Sequence, residues 1–299
     1  MADRTIIVRP SGGDYTSVST ALSTEHASYP DITDDNGSGG PGWLYFKIEG
    51  DWSAAADTAI TAPAFTTSAD YRICVYTDAA NRASLSWNAG KYRAVSAAYR
   101  ALRQEVAGYF VYDGLQLHSA DGSGSARHVV YHSGGATLHL SNCLIRGDKD
   151  EDTYEQHGIF STGGTVYVWN CGIYGISALG RCITNSIGTI YVYSTTGIGG
   201  DRGLNRTSGT AYAKNCYFGG SVSGDYYGTI TKTTCASSDA TGSAGLQSIP
   251  VSTATFVNVS AGTEDYHLAA GSALIGVGTD TSADPPPMDF STDIDGDAR

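Results

Sequence analysis

Through a series of short segments, apolar residues alternate with polar or aromatic ones, the period of two that marks β-strand rather than helix. The alternation is clearest in residues 137–147, 165–175 and 210–220, which align without internal gaps. A weaker copy occupies residues 229–239, and residues 189–199 keep the strand while lacking the Asn-Cys pair of the best copies. An earlier copy begins at Phe110, 28 residues before Leu138. With Cys143, Cys171, Thr195, Cys216 and Cys235 as the marker column, successive steps are 28, 24, 21 and 19 residues. Repeats of roughly 20–30 residues denote a solenoid. The residues between the segments are mostly Gly, Ser, Thr and Asp, which would not sustain a helix in each unit. Each unit therefore reads as a coil of short strands and turns that pairs in parallel with its neighbours. The fold class this predicts is all-β, a single-stranded parallel β-helix.

The same alternation assigns faces. Leu138 and Leu140, Val166 and Val168, Ile190 and Val192, and Ala211 and Ala213 point inward, and Asn142, Asn170 and Asn215 fall at a bend. Past the bend the register restarts, with Cys143, Cys171 and Cys216 inward again. On the outside, His139, Tyr167, Tyr191 and Tyr212 form one column, and Ser141, Trp169, Tyr193 and Lys214 form the next. Coils about 4.8 Å apart would place these rings in a ladder. The ladder either shields the sheet or contacts a sister subunit, another protein or a glycan.

The ends differ from the coils. After a strand at residues 5–8, Val18, Ala21 and Leu22 have helical spacing behind Thr16 or Ser17 as N-cap, so a short helix over residues 15–23 is expected to cap the solenoid. Residues 24–41 read as loop. The whole chain, 1–299, reads as one domain: residues 1–41 form the cap and loop, 42–264 the coils, and 265–299 an irregular closing segment. Pro285, Pro286 and Pro287 exclude regular sheet there.

The opening residues 7–22, the ending residues 265–278 and 293–299, and the coils between them resemble the pectate-lyase-like superfamily of parallel β-helix proteins. That resemblance implies a right-handed coil; it leaves the activity open, because the superfamily includes lyases, hydrolases, epimerases, adhesins and viral structural proteins. The Gly12-Gly13-Asp14-Tyr15 turn behind a short strand is also similar in style to structural proteins of tailed marine bacteriophages. What this implies is a virion protein made in a host cytoplasm, which agrees with the lack of an apolar leader after Met1.

Composition narrows the chemistry. With 30 acidic against 18 basic residues, the net charge is -12, and a phosphate backbone is an improbable ligand. No apolar run is long enough for a membrane helix. The six cysteines form no CxxC, and their repeat position makes them small core residues rather than disulfide halves. Repeat segments 137–147, 165–175, 189–199 and 210–220 contain no Asp or Glu, so they offer no carboxylate pair for glycoside hydrolysis. The nearest acidic group is the run Asp148, Asp150, Glu151, Asp152 and Glu155, read as a solvated loop or, alternatively, a catalytic or cation-binding site. His128, His132, His139 and His157 are read as following no single column. Asp293, Asp295 and Asp297 lack the downstream Glu of a calcium loop. No metal or cofactor is expected.

The functional expectation is a non-enzymatic virion structural protein of a tailed phage, either a capsid decoration or a tail-associated attachment subunit. Other virion proteins and a second copy of the chain are its expected partners. His139, Tyr167, Trp169, Tyr191, Tyr193, Tyr212 and Lys214 would be the contact residues, and a surface glycan a further ligand. The alternatives are a polysaccharide lyase or glycoside hydrolase, and a carbohydrate-binding adhesin.

Overall fold

The computed structural model describes residues 3–33, 42–54, 57–97, 99–120, 127–148 and 155–288. Its strands fall into three sheets: one of fourteen strands, one of seven, and an antiparallel pair formed by Phe256–Asn258 and Asp265–Leu268. The large sheet carries two rows of parallel strands. A trailing row contains Thr137–Ser141, the second halves of Gln156–Trp169 and Arg181–Tyr193, and Thr210–Lys214. A leading row contains Arg127–His132, the first halves of the same two long strands, and Arg202–Arg206. The seven-stranded sheet begins past the Asn bend and includes Leu144–Arg146, Gly172–Ile176, Thr196–Gly199 and Tyr217–Gly219.

Alternation accounts for the core. Leu138 pairs in register with Val166, Val166 with Ile190, and Ile190 with Ala211. These residues, together with Leu140, Val168, Val192, Cys143, Cys171 and Cys216, are buried in one continuous apolar cluster. All six cysteines are buried free thiols. A second cluster, built on Tyr174, Tyr217, Phe256 and Tyr266, seats the C-terminal segment against the outside of the seven-stranded sheet.

The expectation of a right-handed, pectate-lyase-like parallel β-helix is corrected by this topology. A triangular solenoid needs three separate sheets. Here one large sheet, with a main path of nine strands, curls into a half-barrel, and two smaller sheets accompany it. The physical reason lies in the strands Gln156–Trp169 and Arg181–Tyr193, of 14 and 13 residues. They run through the corner with register shifts at Ser161, Thr162 and Thr165, so the two rows fuse. Gly164 and Gly188 permit this turn: both have positive φ, and a Cβ at Gly164 would lie 2.0 Å from the Ala136 carbonyl oxygen. The likeness to phage structural proteins, which the Gly12-Gly13-Asp14-Tyr15 opening carried as part of the β-helix resemblance, is corrected with it.

The helix spans Val18–Ser28, with the Ser17 side chain accepting from the Thr20 N–H. It is longer than the sequence suggested, because residues 24–28 belong to it rather than to a loop. Glu25 holds that last part down, buried against Arg4 and the Tyr15 hydroxyl. The helix N-terminus is capped a second time by Asp57, which accepts from Val18 N–H, Ser19 N–H and the Ser17 hydroxyl, a favourable place for a carboxylate.

Candidate functional site

The leading row gathers the ionisable groups. Val129 and Val130, Ile159, Cys182 and Ile183, and Leu204 belong to the core. Two consecutive inward positions at this bend interrupt the alternation, and the side chains on either side of the pair turn away from the core. His128 pairs in register with His157, His157 with Arg181, and Arg181 with Arg202. Three residues on, Arg103, Tyr131, Phe160, Thr184, Asn205 and Tyr227 make a second column. The reading of the histidines as sharing no column is therefore corrected for His128 and His157, whose rings lie 5.0 Å apart.

Glu155 sits where the first of these columns begins. Its half-exposed carboxylate accepts from Arg181 at 2.8 and 3.1 Å, and one oxygen lies 3.5 Å from His157 Nε2. The hydrogen bonds from Arg181 outweigh desolvation and hold its pKa below the usual carboxylate value. Burial pushes His157 down to about 4, with Arg181 adding to the shift, so the imidazole is neutral at neutral pH. Its Nδ1 lies 2.9 Å from Thr184 Oγ1. With a charged carboxylate facing Nε2, the favoured tautomer carries the proton there, and the Thr184 hydroxyl donates to Nδ1. Glu155 is thus an ionised, solvent-facing base oriented by two groups behind it.

Aromatic and cationic groups surround it. His128 stacks on Phe160 at 4.4 Å, and burial lowers it to about 3. The Arg100 guanidinium lies 3.7 Å from the Tyr131 ring centroid, and that of Arg202 lies 3.6 Å from Tyr227. Arg100 and Arg103 share Glu105, and Arg202 meets Asp201. Arg100, Arg103, Arg181 and Arg202 belong to this side of a chain whose net charge is -12. Among the described residues, Glu105, Glu155 and Asp201 form the ion pairs with these arginines.

The other residues singled out from the sequence have different fates. Tyr167 stacks on Tyr191 at 5.0 Å and Tyr191 on Tyr212 at 4.9 Å, both pairs inclined by only 8°. Rings stacked this closely cover one another's faces and present their edges outward. His139 is buried, its ring edge-on to Tyr167 at 4.8 Å and to Trp169 at 5.9 Å. Trp169 and Tyr193 are register partners in the neighbouring column. Lys214 is engaged by the C-terminal segment, 2.6 Å from an Asp284 carboxylate oxygen and 2.9 Å from the Asp280 carbonyl. Of the acidic run, Glu155 enters the site, and Asp148 is described through its backbone N–H, which donates to Gln156 Oε1. Asp150, Glu151 and Asp152 lie outside the described residues, as do Asp293, Asp295 and Asp297. Among the described residues no three His, Cys, Asp or Glu side chains are grouped to hold a metal ion.

The expectation of a non-enzymatic virion structural protein, a capsid decoration or tail-attachment subunit, is corrected by this site. It rested on the phage-like opening, on the absence of carboxylates from the aligned segments and on histidines read as sharing no column, but the ionisable groups gather in the leading row. There a Glu155–His157–Thr184 chain and its arginines form the buried polar network expected of an enzyme rather than of an inert wall. The sequence pattern does not show it, because Arg127–His132, Gln156–Ser161 and the first residues of Arg181–Tyr193 read as links between the repeat segments. The signal was present: His128, His157, Arg181 and Arg202 are 29, 24 and 21 residues apart, nearly the steps of the cysteine column. No family model, no curated protein and no solved structure matches this chain.

Proposed function

We propose that the chain is a glycan-cleaving enzyme acting on an anionic polysaccharide, and that it cleaves by β-elimination. The observation that carries this reading is Glu155: an ionised, half-exposed carboxylate fixed by Arg181 and His157 beside the columns that carry Arg103, Arg181 and Arg202. Elimination requires a base and cations. The base takes the proton on the carbon beside a uronate carboxylate; the cations offset the charge that then builds on that carboxylate. Glu155 serves as base; Arg181, bonded to it, and Arg202, in register beside Arg181, supply the cations. As the C5–H bond breaks, its electron pair forms the C4–C5 double bond and the C4–O4 bond is released. The leaving oxygen takes a proton from water, and Glu155 gives its proton to solvent.

Hydrolysis of the usual kind needs two carboxylates facing one sugar. Glu155 is instead flanked by arginine and histidine, which favours the lyase over the hydrolase. The test is incubation with a panel of uronate-containing and neutral polysaccharides, reading ultraviolet absorbance of unsaturated ends alongside new reducing ends. Unsaturated ends from a uronate polymer are the expected result. Reducing ends without unsaturation would assign hydrolysis, and release from no polymer would overturn the reading.

A further inference from the structure

The first residues of the strand Arg181–Tyr193 reach the Glu155–His157 pair at two points. Cys182 and Ile183 both lie in the core, so Arg181 and Thr184, on either side of them, turn to the same outer side. Under strict alternation, positions three apart would face opposite ways; the double inward step brings them together. Arg181 holds the Glu155 carboxylate at 2.8 and 3.1 Å. Thr184 Oγ1 lies 2.9 Å from His157 Nδ1, and both of these residues are buried. The carboxylate and the imidazole, two residues apart on one coil, are thus each held from the next coil.

The imidazole needs this second hold. The rings of His128 and Phe160 pack against it at 5.0 and 4.9 Å, but ring packing does not tell nitrogen from carbon. A half-turn about the Cβ–Cγ bond would keep the plane and exchange Nδ1 with Cδ2 and Nε2 with Cε1. Glu155 and Thr184 would then both face carbon. The Thr184 hydroxyl selects the observed orientation, because a neutral imidazole with its proton on Nε2 accepts at Nδ1. In that orientation Nε2 faces the Glu155 carboxylate, 3.5 Å away. We propose that Thr184 is a positioning residue: from the neighbouring coil it fixes the His157 ring, and through Nε2–H the ring sets the direction of the Glu155 carboxylate. This rests on the reading of Glu155 as the base.

Thr184→Val keeps the shape of the side chain and removes the hydroxyl, whereas Thr184→Ser keeps the hydroxyl. Long-range proton–nitrogen correlation spectra at neutral pH report the ring directly. The wild type should show the His157 proton on Nε2 and a hydrogen-bonded Nδ1. In Thr184→Val the Nδ1 resonance should move to that of an unbonded acceptor, and in Thr184→Ser it should return. On the most responsive uronate polymer, kcat should fall about tenfold in Thr184→Val with KM unchanged, a fraction of the worth of a positioned base, and recover in Thr184→Ser. A proton on Nδ1 in the wild type, identical spectra for wild type and Thr184→Val, or equal kcat for the two would overturn the proposal. The two readings fail separately: a wild type that cleaves no polymer removes the base assignment, while the spectra decide the hold on the ring whatever the activity. If Thr184→Val does not fold, the wild-type tautomer decides.

Discussion

Asn142, Asn170 and Asn215 turn the bend with φ of 51°, 53° and 55°, a left-handed conformation that asparagine tolerates better than other side chains carrying a Cβ. Their amides also link coils, Asn170 Nδ2 donating to Asn142 Oδ1 at 3.2 Å. Ser194 occupies the same place with φ 46° and brings no amide. Ser194→Asn should therefore stabilise the protein by roughly 1 kcal/mol, seen as a higher urea midpoint; an unchanged midpoint would argue that the bend is not strained. Histidine sets the acid limit. Burial lowers His128 to about 3, His132 to about 4, His139 to about 3 and His157 to about 4. The unfolded chain takes up these protons near pH 6.5 and the folded chain only far below, so their stabilising contribution is full above pH 6.5 and shrinks as pH falls. Each costs at most about 1.4 kcal/mol per pH unit in that window. Urea midpoints should be level from about pH 8 to about pH 7 and fall steeply towards about pH 5. A flat profile would show that the rings are solvated.

At the scale of strands, what could be read from the sequence was whatever repeats with an unmistakable marker. Asn-Cys after four alternating residues located the trailing row, its inward column and the bend, and the observed register agrees residue for residue from Thr137 to Thr210. The leading row was harder to read because its outward residues change type from coil to coil, from His157 to Arg181 in one column and from Tyr131 to Phe160 to Thr184 in the other. Its connection to the trailing row also varies in length, with shifts at Ser161 and Thr162. The fusion of the rows was hidden for a related reason: Gly163 and Gly164 resemble a strand-ending turn, yet the hydrogen-bonded strand Gln156–Trp169 continues through them. Gly164 shows how tightly that corner is built. Gly164→Ala would combine the left-handed backbone with a Cβ about on top of the Ala136 carbonyl, 2.0 Å away. It should destabilise by at least about 2 kcal/mol, measurable as a lowered thermal midpoint; a loss below about 0.5 kcal/mol would contradict the fused corner.

Across the whole molecule the outer surfaces divide by chemistry. The seven-stranded sheet is covered by the C-terminal segment, the trailing row displays stacked tyrosines, and the leading row bears histidine, arginine and Glu155. Phe256 anchors the cover, fully buried between Tyr217 at 5.0 Å and Tyr266 at 5.5 Å. Phe256→Ala should cost about 3–5 kcal/mol of local packing. Hydrogen exchange should then quicken in residues 243–288 and leave the strands Thr137–Ser141 and Gln156–Trp169 protected. Uniform loss of protection would show that the cover and the coils form one cooperative unit. The assignment of function to the leading row is tested most directly by one comparison. The wild-type chain and Glu155→Gln, matched by circular dichroism and thermal midpoint, are followed by ultraviolet absorbance on the most responsive uronate polymer. A fall in rate of 100-fold or more, roughly the worth of a positioned general base, is the predicted result. Equal rates for the two proteins, or no unsaturated product from the wild type, would contradict it.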